Sequence, residues 1–494
     1  MKNLINVSYW RACRPIMVNT SADYYYVNLW RKIYQNILST EIGRASSDVW
    51  AFNASWMIAS YFEDVVSQLG FWNVFVSKHK ELYGKYLPFY DIEESDYMLD
   101  DVNMYDISLL LWMSVQQNKE GALVNPENVY LLGLARQLHK LLYGEFEKAP
   151  INQDLLSALK NKVANGDFKS IESLGVCMIN TGYLFSNFAK LTRERVEQDV
   201  NIHNLSSVNQ AIRTEMVDFV QAFCRKVSPL PIDTADWLAG LFDLWGLKEE
   251  SRKMSELQVR EPDYYLLKSC QEEDVLLEDV DGNTYQVAYE AFQPMLKQLI
   301  KTNQVCNTSL VCFDGRWTTG ESVSWYPSAE LFERVRALRK EISTQNESVY
   351  QKVLKANNNR PIVYFKDWKE FVEWSEKNIG TDNRINKSSS AKNDLKYLVL
   401  FASVEEGMVL VPDAARLLKD EGNNPYYDAN LARRAALHVL LSGRYVSKTL
   451  LHYVLDNNML SDIAVNSIAD TEKGKKLLHD NMEFVIHFMR VLDY

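Results

Sequence analysis

The sequence predicts an α+β fold that is mostly α-helical, with a helical N-terminal region, a small central antiparallel β-sheet built of hairpins, and a small C-terminal α+β module. Three observations carry this. Apolar residues recur at helical spacing through most of the first 260 positions. Between 264 and 325 the period turns strand-like, and two Asp-Gly pairs punctuate it. Positions 395–411 are strand-like again, and capped helical stretches follow them to the end of the sequence.

The elements follow in order. Thr20-Ser21-Ala22-Asp23 offers a cap to a helix whose apolar residues Tyr26, Leu29, Trp30, Ile33 and Ile37 share one face. Positions 50–69 read as a second helix stopped by Gly70, and 71–83 as a third ending before Gly84. Positions 107–115 read as a buried helix, and Asn125-Pro126-Glu127 opens another that runs to about Tyr143. Helices continue over 154–163, 208–224 and 236–245. The central runs 274–280 and 283–287 flank Asp281-Gly282, and 309–313 and 316–319 flank Asp314-Gly315, with 322–325 beyond and a helical piece over 290–300 between the two hairpins. One hairpin alone is marginal in water, so these strands are expected to share a sheet packed on a helix. Positions 331–342 form a charged amphipathic helix, the polar runs at 343–348 and 357–359 read as loop, and 378–393 reads as a flexible linker or mobile loop. In the last hundred residues, 395–401 and 408–411 are strands, Pro412-Asp413 starts a helix, Asp428 and Ser447 cap two more, and 480–492 closes the chain. The resulting division is 1–150 helical, 151–262 helical, 263–342 hairpins plus amphipathic helix, 343–394 loop-rich connector, and 395–494 C-terminal module.

Composition excludes more than it supports. The 494 residues exceed one core. Lys and Arg number 54 against 65 Asp and Glu, and the formal charge of −11 disfavours nucleic acid and anionic membranes, whose affinity comes from cationic side chains. Six scattered cysteines contain no CxxC pair. No run approaches the ~20 apolar residues of a membrane span, and the N-terminus has no secretory h-region. The expectation is a cytoplasmic protein with reduced thiols.

Several phrases resemble an uncharacterised bacterial family of unknown function from gut bacteria. They are Tyr9-Trp10 with Arg14-Pro15, Asp23-Tyr24-Tyr25, Tyr61-Phe62-Glu63-Asp64, the run at 83–91, Asp314-Gly315-Arg316-Trp317, Leu400-Phe401-Ala402, Pro412-Asp413-Ala414 and the run at 423–428. Arg14-Pro15 stands where a His-Pro pair is expected. The resemblance implies no activity and no catalytic residues.

Candidate chemistry is sparse. No GxSxG, HExxH or GxGxxG occurs, and the stretch 443–449 ends in Lys448-Thr449 but lacks the framing glycines of a phosphate loop. In the acidic segment 91–106, Glu93, Asp96 and Asp100 would fall on one helical face, where a solvated, repulsive surface is favoured over a metal site. His438 and His452 read as core or boundary residues, and Cys312 as a small apolar filler. The binding candidates are Asp314, Arg316, Trp317, Trp325 and Tyr326 at the hairpin tip, which could stack on bases, grip a peptide or pin the sheet to a helix. Pinning is favoured, because a strand tryptophan is usually core. Asp413 and Asp428, with Asn423 and Asn424, sit in two adjacent loops where capping and turn formation explain each of them.

No metal or cofactor is expected. The function this supports is a non-catalytic protein-interaction or scaffold protein with a protein partner. One rival is a nucleic-acid-associated factor using the central sheet with Arg334, Arg336, Arg339 and Lys340. The other is an enzyme whose site assembles near His79 and the acidic segment or around Asp413.

Overall fold

The computed structural model describes residues 2–117, 123–181, 183–184, 193, 196–197, 210–226, 229–271, 273–292, 303–320, 323–380, 394–441, 446–460, 465–466 and 471–490. The chain divides into two compact units. One comprises Met1–Asn118, Asn125–Phe332 and Ser467–Leu492, the other Lys119–Val124, Glu333–Asn466 and Asp493–Tyr494. Among the described residues no helix is long and apolar enough to cross a membrane.

The first unit is built round a helix that is buried on nearly all sides. Helices α1 (Val7–Ala12), α2 (Asp23–Ser39), α3 (Glu41–Ala45), α4 (Asp48–Ser67), α5 (Phe71–Tyr83) and α6 (Met104–Gln116) come first. In α4 nearly every side chain from Trp50 to Ser67 is buried, as expected of a central helix rather than a surface one. Ser47 caps it through the Trp50 amide, and Gln68 ends it in the left-handed region. Trp10, Trp30 and Trp56 meet over it with centroids 4.6 to 5.9 Å apart, and the Trp30 indole donates to Ser55 Oγ at 2.9 Å. After β1 (Leu123–Val124), α7 (Val129–Phe146) starts later than Asn125-Pro126 suggested, because Asn128 is the cap: its side chain accepts from the Tyr130 and Leu131 amides. The helices α8 (Gln153–Lys162), α9 (Phe168–Asn180), α10 (Gln210–Phe223), α11 (Thr234–Leu244) and α12 (Lys248–Ser255) complete the run.

The acidic segment is not helical. Only Glu94–Asp96 makes a 3-10 turn, so Glu93, Asp96 and Asp100 do not share a helical face, and no cluster of His, Cys, Asp and Glu among the described residues could hold a metal ion. The reason lies in Tyr97, which is buried and donates to Asp106 Oδ1 at 2.7 Å, tying the segment down as an extended loop.

The central strands close on themselves. They are β2 (Gln258–Cys270), β3 (Asp274–Asp279), β4 (Thr284–Ala288), β5 (Val305–Phe313), β6 (Arg316–Thr319) and β7 (Ser324–Tyr326). β2 begins inside the stretch read as helical, and its two halves serve different neighbours. Tyr265 to Cys270 pairs with β3, while Gln258 to Leu266 pairs with β5, with irregularities at Arg260/Asp263 and Leu267/Ser269 that let the strand bend. β6 pairs antiparallel with β5 and touches β4 in parallel at Val287 and Trp317, the one parallel contact of an otherwise antiparallel sheet. Numbered from β2 to β6, the strands run 1-2-3-5-4-1, which is the order of the five-stranded Greek-key barrel known as the OB fold. Tyr265, Leu267, Val275, Leu277, Tyr285, Val287, Phe292, Cys306 and Leu310 form its buried core. Closure removes the sheet edges that an open hairpin pair would leave. The helical piece expected over 290–300 lies almost wholly outside the described residues; Tyr289–Ala291 is a 3-10 turn.

The two Asp-Gly turns differ. At Asp314-Gly315 both residues take positive φ (51° and 76°), giving the two-residue hairpin. At Asp281-Gly282 only Gly282 does (93°), and the Asp279 carboxylate shapes a longer loop by accepting from the Asp281 and Asn283 amides and the Tyr285 hydroxyl.

The second unit holds most of α13 (Glu330–Ala356), then β8 (Ile362–Asp367), α14 (Trp368–Asn378), β9 (Lys396–Ser403), β10 (Gly407–Val411), α15 (Ala429–Leu441), α16 (Lys448–Asp456) and β11 (Val465–Asn466). The sheet is antiparallel, ordered β10-β9-β8, and β1 pairs with β11. Positions 343–348, read as loop, lie inside α13. Side-chain bonds from Gln345 to Glu341 and from Gln351 to Glu347 support the helix there, and Asn346 is buried with its amide on the Glu405 carbonyl. The stretch read as a loop-rich connector therefore contains a strand and a helix; the linker candidate from 381 to 393 lies outside the described residues. Asp413 does not start an α-helix; it takes φ 58° ahead of a 3-10 turn, Ala414–Arg416. Asp428 and Ser447 do cap, through the Leu431 and Leu450 amides. The final helices α17 (Thr471–Asp480) and α18 (Met482–Arg490) belong to the first unit, where Phe484 and Phe488 pack on Trp112 at 6.3 and 5.3 Å.

Candidate functional site

The seven residues singled out in the sequence fall into two places. Asp314, Arg316, Trp317, Trp325 and Tyr326 lie on the barrel, whereas Asp413 and Asp428 lie in the second unit. On the barrel, the Asp314 carboxylate reaches Arg252 at 3.2 Å and Lys253 at 3.4 Å on α12, and the Arg252 hydrogen bond holds it below its ordinary range. Trp317 meets Tyr285 edge-on at 5.0 Å, Trp325 packs on Phe292 at 5.6 Å, and Tyr326 leans on Tyr264 at 5.9 Å. Arg316 is exposed. In the second unit Asp413 is exposed, and Asp428 pairs with Arg416 at 2.8 Å. That guanidinium lies 5.0 Å over the Tyr397 ring.

The barrel presents one open wall. β5 is buried along most of its length, with Phe313 against Phe168 at 5.5 Å and Gly320 so close to the Phe219 ring that no side chain would fit. On β3 and β4 burial alternates, leaving Asp274, Leu276, Glu278, Thr284 and Gln286 outward. Barrels of this topology take oligonucleotides or oligosaccharides across that wall. Here it carries carboxylates: Gln286 donates to Asp274 at 2.6 Å, and Lys268 pairs with Glu278 at 2.8 Å. Phosphate needs cations there, and stacking needs outward rings.

A buried charge cluster lies in the helical part. Arg14 is 1% exposed and Glu63 and Asp23 are fully buried. The Arg14 guanidinium donates to Asp23 Oδ1 at 2.5 Å and to both oxygens of Glu63. Glu63 also accepts from Asn152 at 2.8 Å and Tyr183 at 3.2 Å, and Asp23 from Arg11 and Thr20. Burial pushes the Asp23 carboxyl up, but the Thr20 and Arg11 bonds overcome it and hold it below the usual range. A second knot has Asp106 between the Tyr61 and Tyr97 hydroxyls, each at 2.7 Å, with burial pushing its carboxyl up to about 6. Both knots are internally satisfied and tie distant segments together. The trace of the first in the sequence is the charge of Glu63, set in the apolar run of α4.

In the second unit an open cleft of about 320 Å³ is lined by Arg360, Lys419, Asp420, Glu421, Tyr453 and Asn457. Its charges are paired with one another: Asp420 takes Arg360 and the Tyr364 hydroxyl, and Lys419 meets Glu421 at 3.2 Å.

The feature that sequence reading passed over is on α13. From 333 to 345 this helix is largely in solvent, and Leu338 and Ile342 are 56% and 45% exposed. With the half-buried Leu331 and Val335 they form a stripe spaced four, three and four residues apart, the rhythm of a coiled-coil seam. Farther along, the same face goes inside: Val349 and Val353 pack in a core with Phe365, Phe371, Leu398 and Leu400. The signal was available in the amphipathic pattern of 331–342, but a stripe looks alike whether its partner is in the same chain or elsewhere.

Residues 5–293 and 202–490 each match the family described as "Protein of unknown function (DUF3843)". The chain belongs to this family. No curated protein and no solved structure matches it. In this DUF3843 chain the two matches overlap over 202–293, a stretch that carries α10 to β4 and so ends part-way round the barrel.

Proposed function

We propose that this chain is a non-catalytic protein-interaction or scaffold protein of the cytoplasm, and that it engages protein through the exposed stripe of α13. The observation that carries the reading is the exposure of Leu338 and Ile342 on a helix whose other half is packed. Large apolar side chains aligned at coiled-coil spacing gain by leaving water, at about 25 cal/mol per Å² of area buried. An apolar helical face rimmed by charge is the pattern of helix-to-helix recognition. The net charge of −11 and the carboxylates on the open barrel wall both favour protein over nucleic acid. The six free thiols support a reducing compartment.

The test is purification of the tagged full-length chain from its host at moderate salt, with and without nuclease, beside a Leu338→Glu/Ile342→Glu variant. The expected result is a stoichiometric protein that survives nuclease and is lost with the variant. Identical recovery with both chains, or recovery of nucleic acid alone, overturns the reading.

A further inference from the structure

We propose that the cleft in the second unit binds a free amino acid, with its carboxylate on Arg360 and Tyr453 and its ammonium group beside Glu421 and the end of α16. This does not rest on what the α13 stripe engages. The lining residues all belong to the second unit, and the volume of about 320 Å³ stands at the small end of the ~300–1,000 Å³ of ligand sites. At ~30 Å³ for each water-sized group it has room for about ten of them, which suits an amino acid of small or middle size.

Arg360 is held by one edge. The mostly buried Asp420 carboxylate takes a guanidinium N–H, and it also accepts from the Tyr364 hydroxyl at 2.7 Å and the Asn423 amide at 3.1 Å. Three donors fix the carboxylate, and the carboxylate fixes the guanidinium. Among the described residues the guanidinium makes no other bond, so a partly exposed, braced cation has N–H groups left to give. Tyr453 lines the same cleft, and its hydroxyl has no partner among the described residues. A planar guanidinium beside a hydroxyl is a donor set for a carboxylate.

The rest of the lining has the opposite character. Glu421 is exposed on the rim. The Asn457 side chain turns its NH2 back onto the Tyr453 carbonyl at 2.8 Å, which leaves its oxygen as an acceptor. Asn457 and Asn458 also close α16, Asn458 in the left-handed region at φ 52°, so this is the negative end of that helix. Carboxylate, amide oxygen and helix C-terminus together suit an ammonium group. Lys419 supplies one from within the chain, pairing with Glu421 at 3.2 Å. An exposed pair of this kind is worth little, so an incoming ammonium group displaces it at small cost.

The charges of the lining sum to zero, Arg360 and Lys419 against Asp420 and Glu421. That balance decides between ligands. A phosphate or a dicarboxylate would gain Arg360 but meet two carboxylates, and a simple amine would gain Glu421 but meet two cations. A zwitterion finds an opposite charge for each end. In a cleft open to water the expected dissociation constant is on the order of 0.1 to 1 mM.

Saturation-transfer difference NMR on the full-length chain tests this, with each of the standard L-amino acids titrated to about 10 mM. At least one should bind in the range above, and its α-amide and its N-acetyl form should each bind about tenfold more weakly, since each has lost one charge. Arg360→Gln should lose most of the binding. Because that change also opens the Asp420 pair, two milder variants carry the test. Tyr453→Phe and Glu421→Gln should each weaken binding by about three- to tenfold, and at different ends of the ligand. Glu421→Gln should shrink the preference for the free amine over the N-acetyl form and keep the preference for the free carboxylate over the amide. Tyr453→Phe should do the reverse. A general loosening of the fold would lower both preferences together.

No binding of any of these amino acids at about 10 mM overturns the proposal. So does an α-amide, an N-acetyl form or inorganic phosphate that binds as tightly as the free amino acid, or an affinity unchanged in either Tyr453→Phe or Glu421→Gln.

Discussion

Among the described residues, replacing Arg14 with methionine would leave the Glu63 carboxylate fully buried with the Asn152 amide and the Tyr183 hydroxyl as its remaining donors. The substitution removes the charge-assisted bonds to Glu63 and Asp23 but keeps an aliphatic stem of similar length. Breaking a buried pair from one side costs about 3–5 kcal/mol, because the remaining charge has lost its solvent and its partner together. Set against the ~5–15 kcal/mol that usually holds a domain, this is a large fraction, and the expected fall in Tm is on the order of 10 °C. Removing both partners is a different perturbation. Asp23 would keep Arg11 and Thr20, and apolar side chains would fill the volume, so Arg14→Met/Glu63→Leu should recover most of the loss. Urea unfolding followed by tryptophan fluorescence would read this, since Trp10, Trp30 and Trp56 adjoin the cluster and the Arg14 guanidinium lies 5.5 Å from the Trp10 ring centroid. An Arg14→Met variant within about 1 kcal/mol of wild type, or a double variant as unstable as the two singles summed, would refute the reasoning.

Two further predictions concern other sites. Burial pushes the His79 imidazole down from 6.5 to about 4, although its Nδ1 bonds the Lys85 carbonyl at 2.6 Å; its Nε2 has no partner among the described residues. The unfolded chain takes up that proton first, so His79 withdraws stability as pH falls from 6.5 toward 4, about 2 kcal/mol between pH 7.5 and 5. Asp106, raised by burial, acts in the opposite sense over the same range, so the measurement is the difference between wild type and His79→Phe, in which Asp106 cancels. Equal pH slopes for the two proteins would count against the assignment. In the second unit, Gly407 takes φ 72° and an added methyl would overlap the Asn346 side chain, whose amide holds the Glu405 carbonyl at 3.0 Å. Gly407→Ala should cost about 2–3 kcal/mol in thermal unfolding. Gly422→Ala, at φ 79° but in open space, should cost only about 1 kcal/mol, and equal costs would show that the Asn346 contact is immaterial.

How much could be read from the sequence depended on how far apart the cooperating residues lie. Helix α5 was legible to the residue, because Gly70 and Gly84 bracket it and both adopt positive φ. Each hairpin was legible from its Asp-Gly pair. The closure of the barrel was not, since it rests on β2 pairing with β5 some forty residues away and on a single contact between Val287 and Trp317. Polar residues at 343–348 suggested a loop because loop and exposed helix share a composition; side-chain bonds four residues apart and the buried Asn346 decided for helix. Of the candidate site residues, Asp314 and Trp317 were visible as a turn and a ring, but not that α12 would hold the one and Tyr285 the other. The α13 stripe was visible as periodicity and invisible as exposure, which depends on everything else in the fold.

The return of α17 and α18 to the first unit sets a timetable for biosynthesis. Phe484 covers His79, Phe89 and Trp112 at 5.8 to 6.3 Å, yet it leaves the ribosome after Glu333–Asn466, the main stretch of the second unit. At about 5–20 residues per second, Trp112 waits on the order of 20 to 70 seconds for that cover. During that interval His79, Phe89 and Trp112 lack their contact with Phe484. A chain cut before Thr471 would lack both helices and leave Trp112 without the rings of Phe484 and Phe488.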